Sequence, residues 1–141
     1  IYKVHQHLRN INPDAYEPNI IAIGPYHRDK EKTRMMETHK KRYLESILQR
    51  HKEITEGELF SAVAKIGGHA RAAYSDCVEI RSPEFEMMLV RDGCFIVELV
   101  RKFVDTDPSN ENDPIFQMEW MMNSLQRDLM LFENQIPFFV I

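Results

Sequence analysis

The sequence predicts an all-α, bundle-like chain of about four main helices behind a loop-rich amino-terminal segment. Apolar residues recur at three- and four-residue steps over four long stretches, the period of one helical face. No set of alternating segments offers partners for a sheet, and no repeat of 20 to 50 residues suggests a solenoid.

In the first thirty or so residues Pro13, Pro18, Gly24 and Pro25 break any long helix. The run Ile20-Ile21-Ala22-Ile23 between them is short and mostly β-branched. It reads as coil or a short strand lying on the core, although a lone strand would lack a partner. From about Thr33 to Lys52, Met36, His39, Tyr43, Leu44, Ile47 and Leu48 mark a first helix, with His39 as a hydrogen-bonded core imidazole and His51 at the end. A second helix starts near Glu56, with Leu59, Val63, Ile66, Ala70 and Tyr74 as its stripe. Gly67-Gly68 interrupts it, at about 1 kcal/mol per glycine against alanine, and predicts a kink or a close helix contact.

Ser82-Pro83-Glu84 is a start signature for the third helix: a hydroxyl able to cap, a proline harmless in the first turn, then an acid that suits the dipole. Its stripe is Phe85, Met88, Leu89, Asp92, Ile96, Leu99, Val100 and Phe103, so the carboxylate of Asp92 falls on the apolar line. Asp113-Pro114 repeats the device ahead of Ile115, Met118, Met122, Leu125, Leu129, Phe132 and Ile136. That fourth helix is expected to run until Pro137 stops it.

Composition narrows the function classes. With 141 residues, 43% hydrophobic and 28% charged, the chain is an ordinary globular domain. Lys plus Arg total 18 and Asp plus Glu 22, a net charge of −4, which gives no bulk positive field for nucleic acid. No stretch reaches the roughly 18 apolar residues of a membrane-spanning helix, and the start is unlike a signal peptide. Cys77 and Cys94 are too few for a disulfide framework and read as buried free thiols. The chain opens on Ile1 and closes in the apolar run Ile136-Pro137-Phe138-Phe139-Val140-Ile141, which needs something further to bury it, so the chain reads as a fragment.

Reactive constellations are weak. Asp105, Asp107, Ser109, Glu111 and Asp113 alternate like calcium ligands, but Asn110 stands where the loop needs glycine and Phe116 where it needs the bidentate glutamate. The six histidines lack any accompanying Cys-x-x-Cys or His-Glu-x-x-His spacing, so no metal and no cofactor is assigned. No nucleophile elbow or phosphate loop is present, and apolar surroundings disfavour activation of Cys94. Lys40-Lys41-Arg42 offers a basic face for anionic lipid, with a solvated helix surface as the simpler reading. Asp92 and Glu133, each flanked by large apolar residues, are the pair to compare with a general acid and base. The preferred reading is a structural polar network in which Arg71, Tyr74, His69, Asn134 and Gln135 supply hydrogen bonds to Asp92 and Glu133, leaving no catalytic residue assigned.

Taken in order, Ile23-Gly24-Pro25-Tyr26-His27, Met36-Glu37, Lys40, Tyr43-Leu44, Ala70-Arg71, Tyr74, Glu84-Phe85, Asp92-Gly93-Cys94-Phe95-Ile96 and Glu133-Asn134-Gln135-Ile136-Pro137-Phe138-Phe139 make a series that resembles the plant "domain of unknown function 247" family. His5, Arg28-Asp29 and Gly67-Gly68 depart from the family pattern, outside its two strongest runs. The resemblance implies a longer plant protein of which residues 1–141 are the amino-terminal part of a single domain, incomplete at the carboxyl end, with membrane association through a hydrophobic segment outside this chain. It also implies recognition of a protein partner, since some grass members are implicated in self-incompatibility. It carries over no catalytic residues. The expected function is therefore a helical interaction module whose exposed connector, with Asp105, Asp107, Glu111 and Asp113, faces a protein partner. An enzyme using Asp92 and Glu133, and a peripheral membrane module, are the alternatives.

Overall fold

The computed structural model describes residues 1–105 and 112–141. The chain is all-α: among the described residues it forms helices α1 (Gln6–Ile11), α2 (Arg34–Arg50), α3 (Glu56–Ala72), α4 (Glu84–Val104), α5 (Pro114–Gln117) and α6 (Glu119–Leu129), and no strand. Single 3-10 turns lie at Pro13–Ala15, Glu31–Thr33 and Phe138–Val140.

Helix α4 is the hub, with α2 and α3 packed along it. Phe85, Met88, Leu89, Phe95 and Leu99 bury its apolar face, and Phe95 stacks on Tyr43 of α2 with ring centroids 5.1 Å apart. Helix α3 starts in a capping box: the Thr55 hydroxyl accepts from the Glu58 N–H, and the Glu58 carboxylate accepts from the Thr55 N–H at 2.9 Å. It runs unbroken through Gly67-Gly68. Of the two outcomes those glycines allowed, the close contact is realised: a Cβ on Gly67 would lie 2.8 Å from Glu86 Oε1 of α4, whereas one on Gly68 meets nothing within 4 Å.

Several expectations are corrected. Ser82 does not cap α4; its Oγ donates to Glu86 Oε1 at 2.6 Å, and the cap position falls to Pro83. The fourth helix is not one rod. Met118 takes extended backbone (φ −110°, ψ 101°) between α5 and α6, and helical structure ends at Leu129 rather than before Pro137. The end is fixed by Asn134, whose Nδ2 donates to the Asp128 carbonyl at 2.9 Å and so satisfies one of the orphan acceptors of the last turn. Phe132 therefore points to solvent, and Ile136 reaches the core from non-helical chain. Val100 and Phe103, assigned to the buried stripe of α4, are exposed, as is Cys77 in the connector after α3. His39 is only half-buried and its Nδ1 has no hydrogen bond; the buried neighbour on α2 is Lys40.

The Asp113 cap holds, its Oδ1 accepting from the Ile115 N–H at 3.1 Å. The amino-terminal segment is loop-rich, with α1 as a short helix inside it. From Ile20 to Gly24 it is extended, buried on both sides and threaded among the helices without a strand partner.

Gly24 is the tightest point. Its φ of +75° is left-handed, and a Cβ there would come within 3.0 Å of the Gln135 carbonyl oxygen. Gly24→Ala is expected to lower the free energy of unfolding by about 3 kcal/mol in urea titration. Gly68→Ala, in open space in a helix interior, is expected to raise it by about 0.5–1 kcal/mol.

Candidate functional site

The polar interior is organised around residues 19–24, whose backbone groups must find partners without a neighbouring strand. Asp128 of α6 accepts three successive N–H groups: Asn19 at 2.8 Å, Ile20 at 2.7 Å and Ile21 at 3.1 Å. Asn134 continues the pairing, accepting from Ile23 N–H at 2.7 Å and donating to the Ile21 carbonyl at 2.9 Å. Asp92 of α4 accepts the Gly24 N–H at 2.7 Å, and Lys40 of α2 donates to the Ala22 carbonyl at 2.5 Å. Four side chains from three helices and the following turn thus do the work of an adjacent strand.

Asp92 and Lys40 also pair with each other at 2.6 Å, almost fully buried, and Glu37 adds a second carboxylate to Lys40 at 2.6 Å. Burial works against the Lys40 charge, but Asp92 and Glu37 more than offset it and hold the ammonium above its ordinary range. The cleft beside this pair, bordered by Gly24, Arg28 and Arg91, has a volume of about 10 Å³. That is room for one water and too little for a substrate.

Glu133 belongs to a second cluster at the other end of the segment. Its carboxylate accepts from the Val4 N–H and from Arg9, which also holds Glu17 at 2.6 Å. His27 Nε2 lies 3.2 Å from Glu133 Oε2, off the line a hydrogen bond needs, and neither ring nitrogen has a hydrogen-bond partner. Burial and the Lys30 charge, against the pull of Glu133 and Glu17, push the His27 imidazole down to about 4. It is neutral at physiological pH.

Of the residues expected to share one network, Asp92 and Asn134 do meet on the extended segment, and Tyr74 reaches it indirectly. The Tyr74 hydroxyl donates to the Gln135 carbonyl at 3.1 Å, beside Gly24, and burial followed by the Asp92 charge pushes that phenol up. Arg71 is elsewhere. It donates to the Val78 and Ile80 carbonyls at 2.8 and 2.7 Å and lies over the Phe85 ring at 4.1 Å, bracing the α3–α4 connector. His69 stacks on Phe139. Asp113 is buried, bound to Arg42 at 2.6 Å and Lys102 at 3.4 Å, whereas Asp105 pairs with Arg101 at 2.8 Å on the surface. Asp107 and Glu111 lie outside the described residues.

The residues that sequence reasoning missed are Lys40, Asp128 and Glu98. Each carried the same signal as Asp92, a charge at helical spacing among apolar residues: Met36, Lys40, Tyr43; Met121, Leu125, Asp128; Phe95, Glu98, Leu99. Glu98 is clamped by Arg50 at 2.6 Å and Arg101 at 3.0 Å. Burial opposes its charge, yet the two guanidinium groups hold it below the usual carboxylate range. Burial pushes the Cys94 thiol up to about 11, with Glu56 and Glu98 adding to it, so it is no nucleophile at neutral pH. Among the described residues no group of three or more His, Cys, Asp or Glu is placed to hold a metal, and no helix is long and apolar enough to cross a membrane.

His27 gives the acid response a specific origin. Its folded-state pKa of about 4 lies below the ordinary 6.5, so between those values the unfolded chain binds a proton that the folded chain excludes. Stability is full above pH 6.5, falls as pH drops toward about 4 by roughly 2–3 kcal/mol, and gains no further loss from this residue below that. Urea titrations at pH 4.0, 5.0, 6.0 and 7.0 measure that slope, and His27→Gln is expected to flatten it while leaving the steeper carboxylate limb at lower pH.

The family model described as "Plant protein of unknown function", DUF247, matches residues 1–141. UPF0481 protein At3g47200 of Arabidopsis thaliana is 36% identical over 144 residues, covering 100% of this chain and 30% of that protein. Putative UPF0481 protein At3g02645, also of Arabidopsis thaliana, is 25% identical over 141 residues, covering 100% of this chain and 26% of that protein. The chain therefore spans less than a third of the length of these curated relatives. No solved structure gives a significant match. Matched from end to end by the family model and by a relative of clear identity, the chain belongs to the DUF247 family of plant proteins of unknown function.

Proposed function

We propose that this chain is a protein-interaction module, a helical scaffold that recognises a partner through its surface, rather than a catalyst. The observation that carries the reading is an apolar stripe on the outer face of α4. Val97, Val100, Phe103 and Val104 are 42%, 56%, 65% and 74% exposed, and the stripe leads straight into the connector at Asp105. Single exposed apolar residues are ordinary, but a run of four at helical spacing is the form of a contact surface.

The chemistry of the interior supports the same reading. Asp92 is committed to Lys40 and the Gly24 N–H, Glu133 to Arg9 and the Val4 N–H, and the cleft beside Asp92 is too small to hold a substrate. The basic face of α2 is partly spoken for: Lys40, Arg42 and Arg50 pair with Asp92, Asp113 and Glu98, which leaves Arg34 and Lys41 as the exposed cations of that helix able to meet an anionic membrane. Membrane association through a segment outside these residues, and recognition of the self-incompatibility type, are the finer parts of this proposal, and their support is the family resemblance.

Quantitative affinity capture with the full-length protein in plant membrane extract tests it. Val100→Asp combined with Val104→Asp is expected to remove a defined set of partners while stability stays within about 0.5 kcal/mol, because the sites are exposed. Exchanging the connector residues Asp105, Asp107 and Glu111 is expected to alter the same set. Retention of every partner by both variants would overturn the reading.

A further inference from the structure

Arg91 of α4 is a cation without an assignment in the network above. Among the described residues it makes no hydrogen bond and no ion pair, and its buried Nε is left without a partner. A buried guanidinium nitrogen without an acceptor is costly, and nearly every other arginine close to the core has one. On one side Arg91 borders the one-water cleft beside Asp92; on the other it opens into a shallow cleft of about 580 Å³.

That second cleft is amphipathic. Phe60 of α3, Pro83 at the start of α4 and Met87 one turn before Arg91 provide its apolar side, and Arg28 and Glu84 stand with Arg91 at its polar side. Arg28 pairs with Glu84 at 2.9 Å, but Glu84 is largely exposed, and such a pair contributes little and gives way readily to a better acceptor. The planar fork of a guanidinium matches the two oxygens of a carboxylate. Charge sets a ceiling: around the two clefts Arg28, Lys40 and Arg91 are matched by Glu37, Glu84 and Asp92, so there is no surplus positive charge to hold a second negative charge on a ligand.

We infer that this cleft binds a small amphipathic monocarboxylate, its carboxylate on the Arg91 fork and its apolar body against Phe60, Pro83 and Met87. The site is independent of the α4 stripe and uses none of its residues.

Octanoate is the probe, titrated into the intact protein by calorimetry and followed by NMR at the Met87 methyl. Octanol supplies the apolar body without charge, acetate the charge without the body, and octyl phosphate the second negative charge. Saturable octanoate binding that shifts the Met87 methyl is expected, weakened about tenfold or more in Arg91→Gln and less in Arg91→Lys. Because Arg91 holds no partner and its buried nitrogen is a cost, both variants are expected to melt no lower than the parent. Octanol and acetate are expected to bind at least about tenfold more weakly than octanoate. Octanoate binding that is absent or unchanged in Arg91→Gln, octanol binding as well as octanoate, or octyl phosphate binding more tightly would each overturn the proposal.

Discussion

The fold depends on meeting the hydrogen bonds of one extended segment inside a helical protein. Residues 20–24 run through the core with neither a strand beside them nor water around them, and every unmet N–H or carbonyl there would cost about 1–3 kcal/mol. Helices cannot help with their backbones, which are already paired internally. The remaining solution is side chains, and acceptors for N–H groups are best supplied by carboxylates, whose charge-assisted bonds are the stronger kind. Asp128 and Asp92 follow from that need, and Lys40 follows from Asp92, because a buried carboxylate also needs a counter-charge.

This arrangement makes the helices and the segment interdependent. Asp92, Asp128 and Lys40 sit on three different helices and converge on one stretch of about six residues, so the segment ties α2, α4 and α6 to one another. Asn134 acts twice, closing the end of α6 and pairing with Ile21 and Ile23. Replacing such a set with apolar residues would leave the backbone groups of the segment unpaired, and the polar version is also directional. It selects one register of the segment, as buried polar groups do where a purely apolar contact would allow sliding.

The sequence was legible where causes are local. The three long helices and the Asp113 cap rest on period and capping chemistry within a few residues, and the unusual placement of Asp92 on an apolar line was visible for the same reason. It was illegible where the partner is distant. Asp128 binds Ile20 across 108 residues and Asn134 binds Ile23 across 111, and no local pattern announces such pairs. The overextended fourth helix has that origin: Phe132 and Ile136 keep helical spacing, but Asn134 is recruited to the segment and the chain leaves the helix to deliver it. On α2 the period was read correctly and assigned to the wrong residue, since a lysine seemed the surface group and a histidine the core one. Only the carboxylate opposite reverses that preference.

A core that uses its charges in this way restricts where function can reside. The buried acids of the core, where reactive chemistry would ordinarily be sought, are here groups with few free valences. Asp92 has its oxygens engaged by an ammonium and an amide, Glu98 by two guanidinium groups, and Glu133 by a guanidinium and an amide. A proton transferred to or from any of them would break a contact on which the threaded segment or a helix pair depends. Chemistry at these positions would therefore work against the fold. The exposed stripe of α4 and the unpaired guanidinium of Arg91 lie at its margins and can gain a partner, and selection for recognition can act there without disturbing the interior.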